Sequence, residues 1–208
     1  MPKYIFMAGA PGSKWSSVCK NIYYSPGIDR SDYSDARTYY HSASGTRQLM
    51  HLGAYFDPGM EFGSWFDELD YYDPRQCELE FDRPFTGQGQ RIIKSHVFCV
   101  QLDYIKANWS DCPIVLVHRP NDACLGWWVR CGEFRITYPR YRWFQDLDHM
   151  AQHIDYQNSE LLAFADRHSA DWTSIGDNLQ LCNRLGIEIP PSEYRQDYAR
   201  DDIRIAVV

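Results

Sequence analysis

The chain has 208 residues, a formal net charge of −7 and 44% hydrophobic residues. A single domain of that length buries about 70% of its unfolded surface unaided, and the apolar content is that of a globular chain, not a disordered one. The acidic balance argues against nucleic acid or an anionic membrane as partner, so a phosphate-binding site here has to be a local positive patch.

In chain order, the first element is an apolar run over 4–8, which reads as a buried strand. Gly9, Pro11 and Gly12 end it, Ser13 stands where a helix N-cap would, and Trp15, Val18, Cys19 and Ile22 then recur at helical spacing. A strand, a Gly-rich turn and a helix start together aim backbone N–H groups and the positive end of a helix dipole at an anion. Ser13, Lys14, Ser16 and Ser17 add hydroxyls and a cation at the same place. The phosphate-loop pattern G-x-x-x-x-G-K-S/T is not met, because Ala8 and Ser13 stand at its glycine positions and Trp15 follows Lys14.

This first helix fades near Ser25, Pro26 and Gly27. Residues 25–64 show no sustained period and many turn residues, a length of irregular chain that tends to be functional when ordered. A short helix is expected over 64–69, capped by Ser64, and a further loop over 70–89, so 25–89 reads as an irregular, acceptor-facing insertion. A brief strand over 91–96 ends in Lys94 and His96, and a helix is expected over 97–109 from Val97, Val100, Leu102, Ile105 and Trp109. The apolar run 112–118 is the clearest strand, ending at Arg119, with a helix over 123–130 behind it. An irregular stretch follows with Arg135, Arg140 and Arg142, then a long helix over 143–167, a last helix over 177–185 stopped by Gly186, and a polar tail over 192–208. On the long helix His149 and His153 are four apart, but the zinc pattern H-E-x-x-H would need Glu where Met150 stands. Solvated histidines are the reading there.

Seven cysteines include no C-x-x-C pair; Cys19, Cys99 and Cys124 fall in apolar helical patterns and read as buried small hydrophobes, and the usage fits a reducing compartment. No apolar run approaches the roughly 18 residues of a membrane span, and the first residues lack a signal-peptide core. The expectation is a soluble cytoplasmic protein without a membrane partner. The aromatic share of 15% leaves many Tyr and Trp side chains for a pocket or contact surface.

Three apolar strands thus each run into a polar turn and a helix. Right-handed crossovers place such turns at one end of a parallel sheet, where ligands of these folds bind. Lys14 with Ser13, Lys94 with His96, and Arg119 would converge there.

These three turns together resemble the sulfotransferase family. Its first loop, of the type P-K/R-S-G-T-T, is matched by Pro11, Gly12, Ser13, Lys14, Trp15 and Ser16; its K-T-H by Lys94, Ser95 and His96; and its apolar strand, Arg, P-x-D and S-W-W by 114–119, Pro120, Asp122, Gly126, Trp127 and Trp128. The resemblance implies a three-layer, P-loop-NTPase-like α/β domain over 1–208, with a central, mainly parallel sheet flanked by helices. It implies 3′-phosphoadenosine 5′-phosphosulfate as sulfuryl donor, 3′,5′-adenosine bisphosphate as product, no metal, and a hydroxyl or amine acceptor, a small molecule or saccharide. Carried over, Gly12, Ser13, Lys14, Trp15, Ser16 and Ser17 grip the 5′-phosphosulfate. Arg119 binds the 3′-phosphate, and Trp127 is a further cofactor-binding residue. His96 is the general base, and Lys14 or Lys94 steadies the leaving phosphate. The chain departs from the family where the loop cation falls two places late, at Lys14, and where Gly126 replaces a helix serine. A nucleotide-binding module without turnover and a P-loop small-molecule kinase are the competing readings. Residues 33–72 and 133–143 are expected to face the acceptor.

Overall fold

The computed structural model describes residues 1–32, 40–41, 48–49, 66–130, 146–198 and 202–208, with the side chains at 40–41, 48–49 and 66–68 outside that description. Strand β1 (Tyr4–Ala8) leads into helix α1 (Trp15–Tyr23). A two-residue antiparallel pair follows, β2 (Tyr40–His41) with β3 (Gln48–Leu49), in the register Tyr40 to Leu49. After a 3-10 turn at Phe66–Tyr71 come α2 (Pro74–Asp82), β4 (Arg91–Lys94), α3 (Leu102–Asn108), β5 (Ile114–His118), α4 (Asn121–Arg130), α5 (Leu147–Arg167), α6 (Asn178–Leu185) and β6 (Arg204–Val207).

The sheet is open, four-stranded and mostly parallel, in the order β4-β1-β5-β6. β1 lies between β4 and β5 and runs parallel to both, with Met7 opposite Lys94 and Ala8 opposite Leu116. β6 pairs with β5 in the antiparallel sense. Side chains alternate across a strand, so β1, β4 and β5 each feed two apolar clusters, one per sheet face. Tyr4, Phe6, Ala8, Ile93, Ile114 and Leu116 pack with Phe81, Phe98, Trp109 and the α5 residues Met150, Ile154 and Leu161. Ile5, Met7, Ile92, Val115, Val117 and Ile205 pack with Trp15, Val18 and Ile22 of α1 and Leu181 and Leu185 of α6. Among the described residues no helix is long and apolar enough to cross a membrane.

Five local expectations are corrected. The stretch 70–89 is not all loop, because α2 forms there behind a capping box in which Asp73 accepts the Arg75 N–H and Gln76 accepts the Asp73 N–H, with Pro74 opening the helix. Ser13 is not the N-cap of α1; Lys14 holds that place in a left-handed conformation, and the Ser13 N–H closes a turn onto the Ala10 carbonyl at 3.0 Å. The helix expected over 97–109 is divided: Ser95 caps a 3-10 turn over His96–Val100, and α3 starts only after Gln101, whose φ of −121° interrupts the coil. The tail contains a strand, β6, with Ile205 and Ala206 buried. The short helix expected over 64–69 is the 3-10 turn at Phe66–Tyr71, and Ser64 lies outside the described residues. So do 143–145 and the arginines 135, 140 and 142; α5 begins at Leu147 behind an Asp146 cap.

Candidate functional site

Because β4, β1 and β5 are adjacent and parallel, the turns that leave them lie at one edge of the sheet. The turn after β1 is the tightest. A Cβ on Gly9 would stand 2.6 Å from Ser13 Oγ and 2.9 Å from the Val117 carbonyl oxygen. Gly12 has φ +82°, and a Cβ there would stand 2.1 Å from the Cys124 carbonyl oxygen of α4. Glycine at 12 therefore answers both a left-handed backbone and a close approach between loop and helix. Gly12→Ala is expected to lower stability by at least about 1–3 kcal/mol from the backbone strain alone, read as a shifted urea midpoint. An unchanged midpoint would mean that the loop does not rest on α4.

Ser13 is fully buried, and its Oγ makes no hydrogen bond to any described residue. Lys14, half-buried, sets its ammonium 4.7 Å from the centre of the Trp127 ring, with the Arg130 guanidinium 5.4 Å from the same ring. Two cations thus flank one indole, the arrangement of a cation–π contact. Ser16 and Ser17 are half-buried in the first turn of α1, the Ser17 N–H donating to the Lys14 carbonyl at 2.8 Å.

Lys94 and His96 leave β4 on opposite faces. Lys94 is wholly buried under α1, 5.5 Å from the Trp15 ring centre. Burial holds its ammonium down at about 8, against the opposing pull of Cys19 and Asp32. His96, also buried, turns to α5, where its Nδ1 lies 3.0 Å from Gln157 Nε2. Burial lowers the imidazole to about 4, the Gln157 contact acting the other way, so the ring is neutral near pH 7.

Arg119, from the turn after β5, is buried and donates from Nη1 to the Gly12 carbonyl at 3.2 Å, while its Nε has no hydrogen-bond partner among the described residues. Its own carbonyl accepts from Asn158 Nδ2 at 2.9 Å, and the same Nδ2 reaches Asn121 Oδ1 at 2.6 Å. The third turn is thereby tied to the first by Arg119 and to α5 by Asn158. Gly126 is exposed, and a Cβ there would meet nothing within 4 Å, so the helix has room for the serine hydroxyl the resemblance would place at that position.

The structure brings Lys14 to Trp127, Arg119 to Gly12, and Lys94 to Trp15. It also places His153, Gln157 and Asn158, three buried polar residues of α5, against two of the turns. Gln157 and Asn158 were missed from the sequence, and the solvated reading of His153 is corrected by its burial. The signal is present, since the three interrupt the apolar stripe Met150, Ile154, Leu161 at helical spacing. His149 and His153 do not share a setting. His149 is exposed and its Nδ1 lies 2.6 Å from Asp146, whereas His153 is buried beside Gln157. Among the described residues no three His, Cys, Asp or Glu side chains gather as a metal site would require. No family model matches this sequence, and neither a curated protein nor a solved structure matches it.

Proposed function

We propose that the chain is a sulfotransferase with a P-loop-like nucleotide site, moving a sulfuryl group from 3′-phosphoadenosine 5′-phosphosulfate to a hydroxyl or amine of a small-molecule or saccharide acceptor. One observation carries the reading: the turns bearing Ser13 and Lys14, Lys94 and His96, and Arg119 leave the same ends of three adjacent parallel strands. Each turn brings a cation, and the buried Ser13 Oγ and Arg119 Nε are donors with no partner among the described residues. Such a donor set suits an anion with two charged ends.

The donor would supply an activated sulfuryl group and a phosphate leaving group, and the side chains named here would hold it. Ser13, Lys14, Ser16 and Ser17 lie at the N-terminus of α1, where the helix dipole favours the 5′-phosphosulfate. Arg119 offers its remaining N–H groups to the 3′-phosphate while its bond to the Gly12 carbonyl keeps the first turn in register with it. Trp127, between two cations, flanks the same end. Lys94 offers positive charge against developing phosphate charge in a dry setting, where such charge acts most strongly. A neutral His96 can take the acceptor proton near pH 7.

Arg119→Ala tests the assignment by ligand comparison. Charge-assisted hydrogen bonds are worth about 1.5–3 kcal/mol, so the variant is expected to bind 3′,5′-adenosine bisphosphate about 10- to 100-fold more weakly and adenosine 5′-monophosphate nearly as before. An equal loss for both nucleotides would assign Arg119 to holding the loop and would overturn its 3′-phosphate role.

A further inference from the structure

We propose that Gln157 is a positioning residue that locks the tautomers of His96 and His153 together, so that His96 is a competent base in only one of two amide orientations. The catalytic meaning rests on the function proposed above; the tautomer lock itself is a property of the free protein.

Gln157 is wholly buried, and His96 and His153 are buried on either side of it. Its amide Nε2 lies 3.0 Å from His96 Nδ1 and 3.0 Å from His153 Nε2. The two rings stand edge to face, 5.7 Å between centroids. One terminal amide group therefore faces a nitrogen of each imidazole. An NH2 group can only donate and a carbonyl oxygen can only accept, and their two hydrogens or two lone pairs diverge in the same in-plane directions. The two amide orientations have the same shape, so the protons decide between them.

With the NH2 inward, both facing ring nitrogens must be acceptors, which puts the protons on His96 Nε2 and His153 Nδ1. With the carbonyl inward, both facing nitrogens must be donors, which puts them on His96 Nδ1 and His153 Nε2. A mixed pair would set an N–H against an N–H, or a lone pair against a lone pair, across 3.0 Å in a buried site. Oε1 also lies 3.3 Å from His96 Nδ1, but a proton directed to it would face the amide hydrogens of the nearer Nε2. Only the carbonyl-inward pair leaves His96 Nε2 without a proton, ready to take one from an acceptor hydroxyl while Nδ1–H stays bonded to Gln157. His153 is then the ring that reports, and through Gln157 biases, the state of His96.

The test uses the full chain labelled with 15N-histidine, free of nucleotide, with long-range 1H–15N spectra at about pH 8, where an ordinary imidazole is neutral. One of the two matched pairs is expected. In Gln157→Glu, whose carboxylate only accepts, both rings are expected to carry their protons on the facing nitrogens, His96 Nδ1 and His153 Nε2. A mixed pair in the parent chain, or rings in Gln157→Glu that keep His96 Nε2–H and His153 Nδ1–H, would overturn the proposal. Should Gln157→Glu not fold, His153→Leu removes one partner of the amide and is expected to shift the His96 nitrogen resonances; an unmoved His96 spectrum would overturn it equally. Failure of nucleotide binding would strike the sulfotransferase reading and leave these spectra unaffected.

Discussion

Replacing Lys94 by methionine is expected to make the free protein more stable and its nucleotide site weaker. Lys94 has no solvent exposure, and burial drives its ammonium down to about 8 from the ordinary 10.5. A buried cation whose charge is disfavoured detracts from stability at neutral pH, and an apolar residue of similar length removes that cost, a gain of about 1–3 kcal/mol. The sign in pH follows from linkage. Between about 8 and 10.5 the unfolded chain holds a proton at Lys94 that the folded chain does not, so the folded state gains stability as pH rises through that window. Urea denaturation at pH 7 and at pH 10 is expected to show Lys94→Met ahead at pH 7, with the lead shrinking at pH 10. On the proposed sulfotransferase reading Lys94 faces the bound phosphate, so the same variant is expected to lose about tenfold or more in affinity for 3′,5′-adenosine bisphosphate. A Lys94→Met protein less stable at pH 7, with affinity unchanged, would make Lys94 a purely structural residue.

The second large effect is expected at His96. In His96→Ala, sulfuryl transfer falls about 10²- to 10⁴-fold, the range for loss of a general base, while binding of the bisphosphate is nearly retained. With the imidazole neutral above about 4 and Lys94 charged below about 8 in the free protein, kcat/KM for the donor in the parent chain is expected to be level between those values and to fall on either side. The variant also changes acid stability. His96 is held below the ordinary 6.5, so the unfolded chain takes up its proton first as pH falls, and the parent loses stability between 6.5 and about 4 through this residue; the alanine variant lacks that contribution. Turnover undiminished in His96→Ala would assign the base to another group. Nucleotide binding with no turnover in the parent chain, across a panel of acceptors, would favour the non-enzymatic reading.

The strands that organise the site were legible in the sequence because parallel strands buried on both faces read as unbroken apolar runs: Tyr4–Ala8 and Ile114–His118 do. The last helix was legible from its end, where Gly186 turns left-handed at φ +67°; at its start Asp177 is the cap, accepting the Gln180 N–H, and not the first helical residue. α2 was not, since only Cys77 and Phe81 of its nine residues are buried and Leu79 points outward, too thin a stripe for a periodicity reading; its signal was the Asp73, Pro74, Gln76 cap. β6 was hidden by Arg204 among Ile203, Ile205 and Val207, an alternation suited to an edge strand that a polar tail disguised. At the site, the sequence carried the cations and His96 but not their settings. Lys94 and His96 are two apart, which strand alternation alone would put on one face. That Lys94 lies under α1 while His96 faces α5 follows from β4 ending at Lys94 and the 3-10 turn that begins at His96, and which buried amide meets His96 depends on the approach of α5 from some sixty positions away.

The most direct measurement is titration calorimetry of 3′,5′-adenosine bisphosphate into the parent chain at pH 8, with chelator present, in buffers of different ionisation enthalpy. Saturable one-to-one binding is expected without magnesium. It should be accompanied by proton uptake, because an anion beside Lys94 raises an ammonium that is only partly protonated at that pH. Absence of binding, or binding that requires magnesium, would contradict a two-phosphate site at the ends of β1, β4 and β5.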